Sequence, residues 1–162
     1  MTKHGRHRGG FTLVEAIAAI VILAITAPLT LSVLSDASAA RVDTLNVTRA
    51  AWYAGAVMET VIGDVASSAP DLGFDALATP AQYLDAPGTG LNDRLSDVVV
   101  VYTQCGMSHE VDVGDLVSAD GSATGDPDLD LYRYVSVTIT WTSPRHGVRD
   151  LTTGVLVCEV NP

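Results

Sequence analysis

An apolar run with a single carboxylate constrains this chain more than any other feature. From Phe11 to Ser35 the only ionisable side chain is Glu15. As a helix, these 25 residues would be about 37 Å long, at ~1.5 Å per residue, and would span a hydrocarbon layer of ~30 Å. A charged side chain inside such a layer costs a few kcal/mol unless it has a partner. The run therefore predicts a membrane helix in which Glu15 has a specific role.

The charges on either side of the run are uneven. Lys3, Arg6 and Arg8 lie in the first ten residues with no acid, whereas the remaining chain has 6 basic and 19 acidic residues. Because positive flanks tend to stay in the cytoplasm, we expect a cytoplasmic leader and a body on the other side of the membrane. A body with a formal charge of −13 repels phosphate backbones, so we expect no direct binding of nucleic acid.

Two simple interpretations of the apolar run leave its carboxylate unexplained. A plain membrane anchor accounts for the length and the basic flank, but gives Glu15 no purpose. A secretory signal peptide would offer small residues near Ala24 and Ala27 for cleavage. Its apolar core, however, is normally shorter and uncharged.

The sequence Gly10-Phe11-Thr12-Leu13-Val14-Glu15, between a basic leader and a long apolar helix, resembles the cleavage signal of type IV pilins and type II secretion pseudopilins. This resemblance implies that prepilin peptidase cuts between Gly10 and Phe11 and methylates the new amino terminus. It also implies a single-pass protein of the bacterial inner membrane with an extracytoplasmic head, which later joins a pilus or pseudopilus. The implied partners are other pilin-like subunits and the inner-membrane assembly platform.

The position of Glu15 has a physical rationale in such a filament. A helix that begins at Phe11 presents an ammonium group and unsatisfied N–H donors at its start. Glu15 lies one turn further along. When helices stack with an axial stagger, the carboxylate of one subunit can pair with the ammonium of the next, so that each buried charge has a partner. We therefore expect Glu15 to act in assembly.

The chain divides into four segments by composition: a leader (1–10), an assembly helix (11–35), an amphipathic continuation (36–67) and a head (68–162). Pro28 should kink the assembly helix or free a carbonyl near Ala24. The continuation contains no proline, and its apolar residues recur at spacings of three or four. They are Val47, Ala51, Ala54, Met58, Ile62 and Val65. This face is predicted to pack on a sheet.

The head is predicted to be a connection followed by about four strands. Residues 67–90 are rich in proline and glycine, with one helical turn expected around Phe74 to Leu77. The segments 97–105 and 109–113 are predicted to form a hairpin. "YRYVSVTITW" alternates apolar and polar residues, and "VRDLTTGVLVCEV" forms the last strand. The fold class is therefore α+β and pilin-like, with a long N-terminal helix packed on a small antiparallel sheet.

The last two strands also bear on the type of subunit. Their pattern, "YRYVSVTITW" followed by "GVRDLTTGVL", resembles minor pseudopilin I and minor pilin V subunits. The tip component pseudopilin K typically lacks the early glutamate, so Glu15 argues against that type. The resemblance favours a minor subunit.

Two cysteines, Cys105 and Cys158, lie near the ends of predicted strands. In an oxidising compartment they are expected to form a disulfide, which would close a long loop. The alternative is two separate buried thiols.

An acidic segment between two predicted strands contains Asp120, Asp126, Asp128 and Asp130. Its D-x-D-x-D pattern is typical of the beginning of a calcium-binding loop, so Asp126, Asp128 and Asp130 are weak calcium candidates. The later glycine and glutamate of such a loop are missing. We therefore favour a solvated acidic turn and expect no metal or other cofactor.

Little in the chain indicates catalysis. His109 and His146 follow the leader but have no recognisable nucleophile beside them, so we expect a structural protein and not an enzyme. Trp52, Tyr53 and Trp141 could form an interaction patch, although aromatic residues at such spacings usually belong to a core. The rival function is a membrane-tethered extracytoplasmic domain that binds a partner without polymerising.

Overall fold

The computed structural model describes residues 12–69 and 71–159. It divides the chain into two compact units, at Arg41 and Val42. The first unit contains the apolar part of helix α1, which extends from Leu13 to Val65 over 53 residues. The second unit contains the rest of α1 and the head. The predicted long N-terminal helix is confirmed.

Helix α1 continues through Pro28 without interruption. Proline has no N–H to donate, so Pro28 offers no helical hydrogen bond to the carbonyl of Ala24. Nearby hydroxyls bond back to the helix: Thr26 Oγ1 donates to the Ile22 carbonyl at 2.9 Å, and Thr30 Oγ1 donates to the Thr26 carbonyl at 2.6 Å. These side chains therefore present little unsatisfied polarity to an apolar environment.

Four short helical elements connect α1 to the sheet. They are a 3₁₀ turn (Phe74–Ala78), α2 (Pro80–Asp85), α3 (Leu91–Arg94) and α4 (Ser96–Thr103). The 3₁₀ turn confirms the helical turn predicted around Phe74.

The strand predicted over 97–105 is wrong, because this segment forms α4. Its run of valines favours a strand in isolation, but β-propensity depends strongly on the surroundings. Asp97 lies in the first turn of α4, where a negative charge favours a helix. Val98, Val99 and Tyr102 pack against the hydrophobic core. One face of this short helix therefore packs on the core, as the face of a strand would. The predicted hairpin with 109–113 does not form.

The sheet has three antiparallel strands in the order β1-β2-β3, and not the four that were predicted. They are β1 (Met107–Val117), β2 (Tyr132–Ser143) and β3 (Gly147–Cys158). The register pairs Met107 with Trp141 at one end of β2, and Cys158 with Tyr132 at the other. The acidic loop and the β2–β3 turn therefore lie at opposite ends of the sheet.

The core of the second unit lies between α1 and the sheet. On β2 the predicted alternation is confirmed, because Val135, Val137, Ile139 and Trp141 are all buried. On α1 the buried residues are Asn46, Ala50, Tyr53, Ala54, Val57, Met58, Val61, Asp64 and Val65. This α+β arrangement confirms the predicted fold class.

The apolar face predicted for the second half of α1 is only partly right. Ala54, Met58 and Val65 are buried, but Val47, Ala51 and Ile62 are exposed. Ala51 and Ile62 instead border an open, mainly apolar groove of about 510 Å³ between α1 and β3. A shift of one residue turns a helix by about 100°, and the core face of α1 also includes Tyr53 and Asp64, which the predicted apolar face omits.

Candidate assembly site

The candidate assembly site begins at the first described residue, Thr12. Its carbonyl accepts hydrogen bonds from the N–H groups of Glu15 and Ala16, both at 3.1 Å. Its Oγ1 also accepts the Glu15 N–H, at 3.3 Å. Thr12 is therefore the N-cap of α1, and Thr12 with Glu15 matches the T-x-x-E capping box. This T-x-x-E spacing is visible in the sequence, although the pilin-like motif draws attention only to the charge of Glu15.

The Glu15 side chain is exposed at the start of α1. Among the residues that the structure describes, it has no cation within ion-pair distance. Gly10 and Phe11, the predicted processing residues, lie outside the described residues. A carboxylate in the first turn interacts favourably with the positive end of the helix dipole, but no side chain of the described chain neutralises it.

The helix surface beyond Glu15 is apolar and uncovered. Large side chains are exposed throughout, from Leu13 at 79% to Leu34 at 65%. Within the described residues, α1 is the one helix long and apolar enough to cross a membrane. The site is therefore a lone carboxylate one turn into an uncovered apolar helix.

The head is held to α1 by a buried acid. Arg94 Nη1 lies 2.5 Å from Asp64 Oδ1, and Nη2 lies 2.7 Å from Oδ2. The Tyr83 hydroxyl donates to Asp64 Oδ2 at 2.7 Å. The hydrogen bond to Asp64 raises the pKa of Arg94, and burial together with Asp64 raises the pKa of Tyr83. Both groups therefore stay protonated, and the network joins α2 and α3 to the helix.

A second network joins α1 to β1. The Tyr53 ring stacks on Tyr102, with centroids 4.2 Å apart, and its hydroxyl lies 2.8 Å from His109 Nδ1. His109 Nε2 lies 3.1 Å from Asn92 Oδ1. A neutral imidazole with its proton on Nε2 satisfies both contacts, since it donates to the amide oxygen and accepts from the hydroxyl. Burial lowers the pKa of His109, which favours this neutral form.

A third contact joins α1 to the β2–β3 turn. The Ser143 hydroxyl donates to Asp43 Oδ1 at 2.6 Å. The same Oγ accepts the N–H groups of Arg145 at 3.2 Å and His146 at 3.0 Å. Ser143 therefore fixes both the shape of the turn and its position on the helix. No sequence motif indicated this contact between residues 100 positions apart.

The predicted disulfide does not form, and both cysteines are free thiols. Cys158 lies opposite Tyr132, whereas Met107, two residues after Cys105, lies opposite Trp141. These β2 positions are nine residues apart, which corresponds to about 30 Å at ~3.3 Å per residue. A disulfide requires Cα atoms within about 7 Å. The prediction failed because α4 replaces the expected strand, and Cys105 lies just before β1, at the end of the sheet where Met107 pairs with Trp141.

The acidic segment folds on itself through its own carboxylates. Asp130 accepts the N–H groups of Thr124 and Gly125, at 3.1 and 2.8 Å. Asp126 accepts the N–H of Asp128 at 3.0 Å. Hydrogen bonds from the Ser118 and Ser122 side chains lower the pKa of Asp120 to about 2. Within the described ranges, no group of three His, Cys, Asp or Glu side chains could hold a metal ion.

The aromatic residues singled out in the sequence have different environments. Tyr53 and Trp141 are buried in the core, whereas Trp52 is 74% exposed on α1. His146 lies exposed in the β2–β3 turn. The core interpretation therefore holds for two of the three aromatics, and Trp52 remains available for an interaction.

Comparisons with known proteins bear on the N-terminal region. Residues 5–27 match the family model described as the prokaryotic N-terminal methylation motif. Searches of curated proteins and of solved structures gave no match. The matched segment contains Gly10, Phe11 and Glu15, and its continuation is the apolar helix. The match supports a type IV pilin-like N-terminal segment that prepilin peptidase processes. The one apolar helix of the described residues is consistent with an anchor in the inner membrane.

Proposed function

We propose that this chain is a minor structural subunit of a type IV pilus or of a type II secretion pseudopilus. In this proposal the leader is cytoplasmic, and the head lies on the other side of the inner membrane. Prepilin peptidase cuts between Gly10 and Phe11, and the assembly platform adds the processed chain to other pilin-like subunits. The carboxylate of Glu15, exposed on an uncovered apolar helix, is the observation that carries the proposal.

The charge of Glu15 supplies both the driving force and the register of assembly. A carboxylate that enters a helix bundle unpaired carries a large desolvation penalty. The amino terminus of a neighbouring chain, at Phe11 after processing, removes that penalty when the two helices are offset by about one turn. Thr12 supports the geometry, because its Oγ1 bond to the Glu15 N–H stabilises the first turn of the helix from which the Glu15 side chain projects.

The head contributes a rigid surface and no chemistry. The networks around Asp64 and His109 connect helix, loop and sheet, and the described histidines lie beside no activated nucleophile. The strand pair β2–β3, which resembles minor pilin V and minor pseudopilin I, supports a minor position in the filament. A subunit of this kind interacts through its surfaces.

The test uses Glu15→Ala, Thr12→Ala and Asp36→Asn in the cell that makes the protein. We expect Glu15→Ala to be processed normally but to be largely lost from the sheared filament fraction on an immunoblot. Asp36→Asn, which removes a carboxylate just beyond the apolar run, should assemble normally. Thr12→Ala removes the cap, at a cost of about 1 kcal/mol, but keeps the charge, so it should assemble far better than Glu15→Ala.

Two results would count against this function. Incorporation of Glu15→Ala at the level of the unmodified chain would remove the ion pair from the mechanism and favour a tethered head that does not polymerise. Equal losses in Glu15→Ala and Thr12→Ala, with normal processing of both, would show that Glu15 acts only as a capping residue.

A further inference from the structure

Strand β3 lies at an edge of the sheet, and this edge is unprotected. The order β1-β2-β3 leaves β3 with one neighbour, β2, so within the described part of the chain the main-chain groups on its outer side have no strand to pair with. Natural sheets usually block such an edge with charged residues, proline or a β-bulge. Residues 151–158 contain no charged residue and no proline, and β3 pairs with β2 without a break in register. The edge is therefore open to a further strand.

The other edge of the sheet, formed by β1, is protected. Strand β1 contains Glu110, Asp112 and Asp115, and its register with β2 shifts between Val113 and Leu116. Helices α2 and α4 also contact this strand. Charges, an irregular register and covering elements all prevent pairing at an edge. Only the edge of β3 lacks such protection.

An apolar groove borders the open edge of β3. It lies between α1 and β3 and has a volume of about 510 Å³. Its lining residues include Ala51, Gly55, Met58, Ile62, Leu151 and Thr153. Ile62 is 47% exposed. Leu151 lies opposite the buried Ile139, so both side chains lie on the face of the sheet that packs on α1. A further strand beside β3 would place alternate side chains in the groove, over the exposed part of α1.

The open edge selects an extended segment over a helix. A helix pairs its own main-chain groups, so a helix laid in the groove would cover the N–H and C=O groups of β3 without pairing them. An extended segment would pair with them as a fourth strand, which is the geometry of β-strand addition. The groove wall on α1, from Ala51 to Ile62, is about 17 Å long at ~1.5 Å per residue. This length corresponds to a strand of about five residues.

The charge of the groove indicates the chemistry of the segment. Among the described residues, Glu59 is the one charged residue that lines the groove, and it has no cation within ion-pair distance. A second copy would bring its own Glu59 to the same place, because a symmetric interface uses the same patch on both chains. From Val42 onward the sequence also contains 17 acidic and 5 basic residues, so two such units repel each other. A segment that carries lysine or arginine would instead pair with Glu59.

We propose that the open edge of β3 and the groove beside it bind an extended segment of another protein as a fourth strand. The segment has apolar side chains at alternate positions, which enter the groove, and among them a lysine or arginine, which pairs with Glu59. Main-chain hydrogen bonds to β3 provide affinity, and the alternate side chains provide specificity. This binding involves the second unit alone, and it goes beyond the proposed function because it does not require polymerisation.

The experiment measures the binding of fluorescein-labelled peptides to the detergent-solubilised full chain by fluorescence anisotropy. The probe is a short peptide that alternates valine and threonine, with lysine in place of its central valine. One companion peptide has glutamine at that position. Another has proline in place of a central threonine, which removes a main-chain donor. Micelles without protein measure the partition of each peptide into detergent, and hydrogen exchange followed by mass spectrometry locates the bound peptide.

Two glycines of α1 provide a matched pair of variants. Gly55 lines the groove, whereas Gly63 lies outside it, and a Cβ added at either position would meet no atom within 4 Å. Leucine is a better helix former than glycine, so Gly55→Leu and Gly63→Leu should both fold, which circular dichroism checks. Gly55→Leu fills the groove and should abolish binding. Gly63→Leu should bind the lysine peptide as the unmodified chain does.

We expect saturable binding of the lysine peptide and none of the proline peptide. The glutamine peptide should bind about fivefold more weakly, which is the upper end for a partly exposed ion pair, and Glu59→Gln should remove this difference. The bound peptide should slow exchange over residues 151–157 but not over β1.

Three results would overturn the proposal. The first is the absence of saturable binding by the lysine peptide. The second is equal binding to Gly55→Leu and to the unmodified chain. The third is slow exchange over residues 151–157 without any peptide, increasing with protein concentration, which would assign the groove to a second copy of this chain.

Discussion

Asp64 and Arg94 form a two-point ion pair between α1 and α3, and the Tyr83 hydroxyl binds the same carboxylate. The Asp64 carbonyl also accepts the N–H groups of Ser67 and Gly73, at 3.0 and 2.9 Å. One residue at the end of α1 thus holds the loop that leads to the sheet. Asp64 is only 6% exposed. Arg94 and Tyr83 therefore depend on its carboxylate as their hydrogen-bond acceptor.

Replacement of Asp64 by alanine should destabilise the head by about 3 kcal/mol, because it leaves the Arg94 guanidinium and the Tyr83 hydroxyl without their acceptor. Asp64→Asn should be intermediate. Urea unfolding of the detergent-solubilised chain, followed by near-UV circular dichroism, measures the change. The matched control is Asp75→Asn, an exposed acid of the same loop region, for which we expect less than about 0.5 kcal/mol. A similar small effect of Asp64→Ala would show that the network contributes little.

The stability of the head should fall as the solution becomes mildly acidic. Burial holds the pKa of His109 below its usual value near 6.5, so the unfolded chain takes up this proton at a higher pH than the folded chain does. The stabilisation of the head by the neutral His109 imidazole is complete above about pH 6.5. It is lost as the pH falls through the lower pKa of the folded chain.

Urea unfolding between pH 8 and pH 5 tests this dependence against two variants. His109→Gln should lose part of the pH dependence, because it removes the group that titrates. His146→Gln, which changes an exposed histidine, should keep the pH dependence of the unmodified chain. If His109→Gln retains the full dependence, the hydrogen bonds of Tyr53 and Asn92 do not select the neutral imidazole.

Both thiols should react without prior reduction. Cys105 is exposed and Cys158 is half-buried, so a maleimide should modify Cys105 rapidly and Cys158 more slowly in the native chain. Intact-mass analysis counts the adducts, and peptide mapping assigns them. Failure to label either residue until a reductant is added would show a disulfide and would contradict the combined registers of β1 and β3 on β2.

The parts of the fold that follow from local pattern could be predicted from the sequence. The first half of α1 is predicted by the length of its apolar run, the second half by apolar residues at spacings of three or four, and β2 by its alternation of apolar and polar residues. Segment 97–105 was not, because four consecutive valines fit a strand or a buried helix equally well. The contacts that decided it, from Tyr102 to Tyr53 and into the core, connect distant parts of the chain.

The functional residues likewise fall into those that a local motif predicts and those that only the fold brings together. Gly10, Phe11 and Glu15 lie in one short motif, which the sequence displays directly. The capping role of Thr12 also follows from a short local pattern. It was missed because Glu15 was considered only as a charged side chain. The Asp43–Ser143 bond and the separation of the cysteines depend on strand register, which no short motif encodes.

The central claim is that this chain is a processed, filament-forming subunit, and the mass of its mature amino terminus tests that claim most directly. The protein purified from cells is digested, and its N-terminal peptide is identified by tandem mass spectrometry. The account predicts a chain that begins at Phe11 with an added methyl group on the α-amino nitrogen. A chain that retains residues 1–10, or that begins near Ala27, would contradict it.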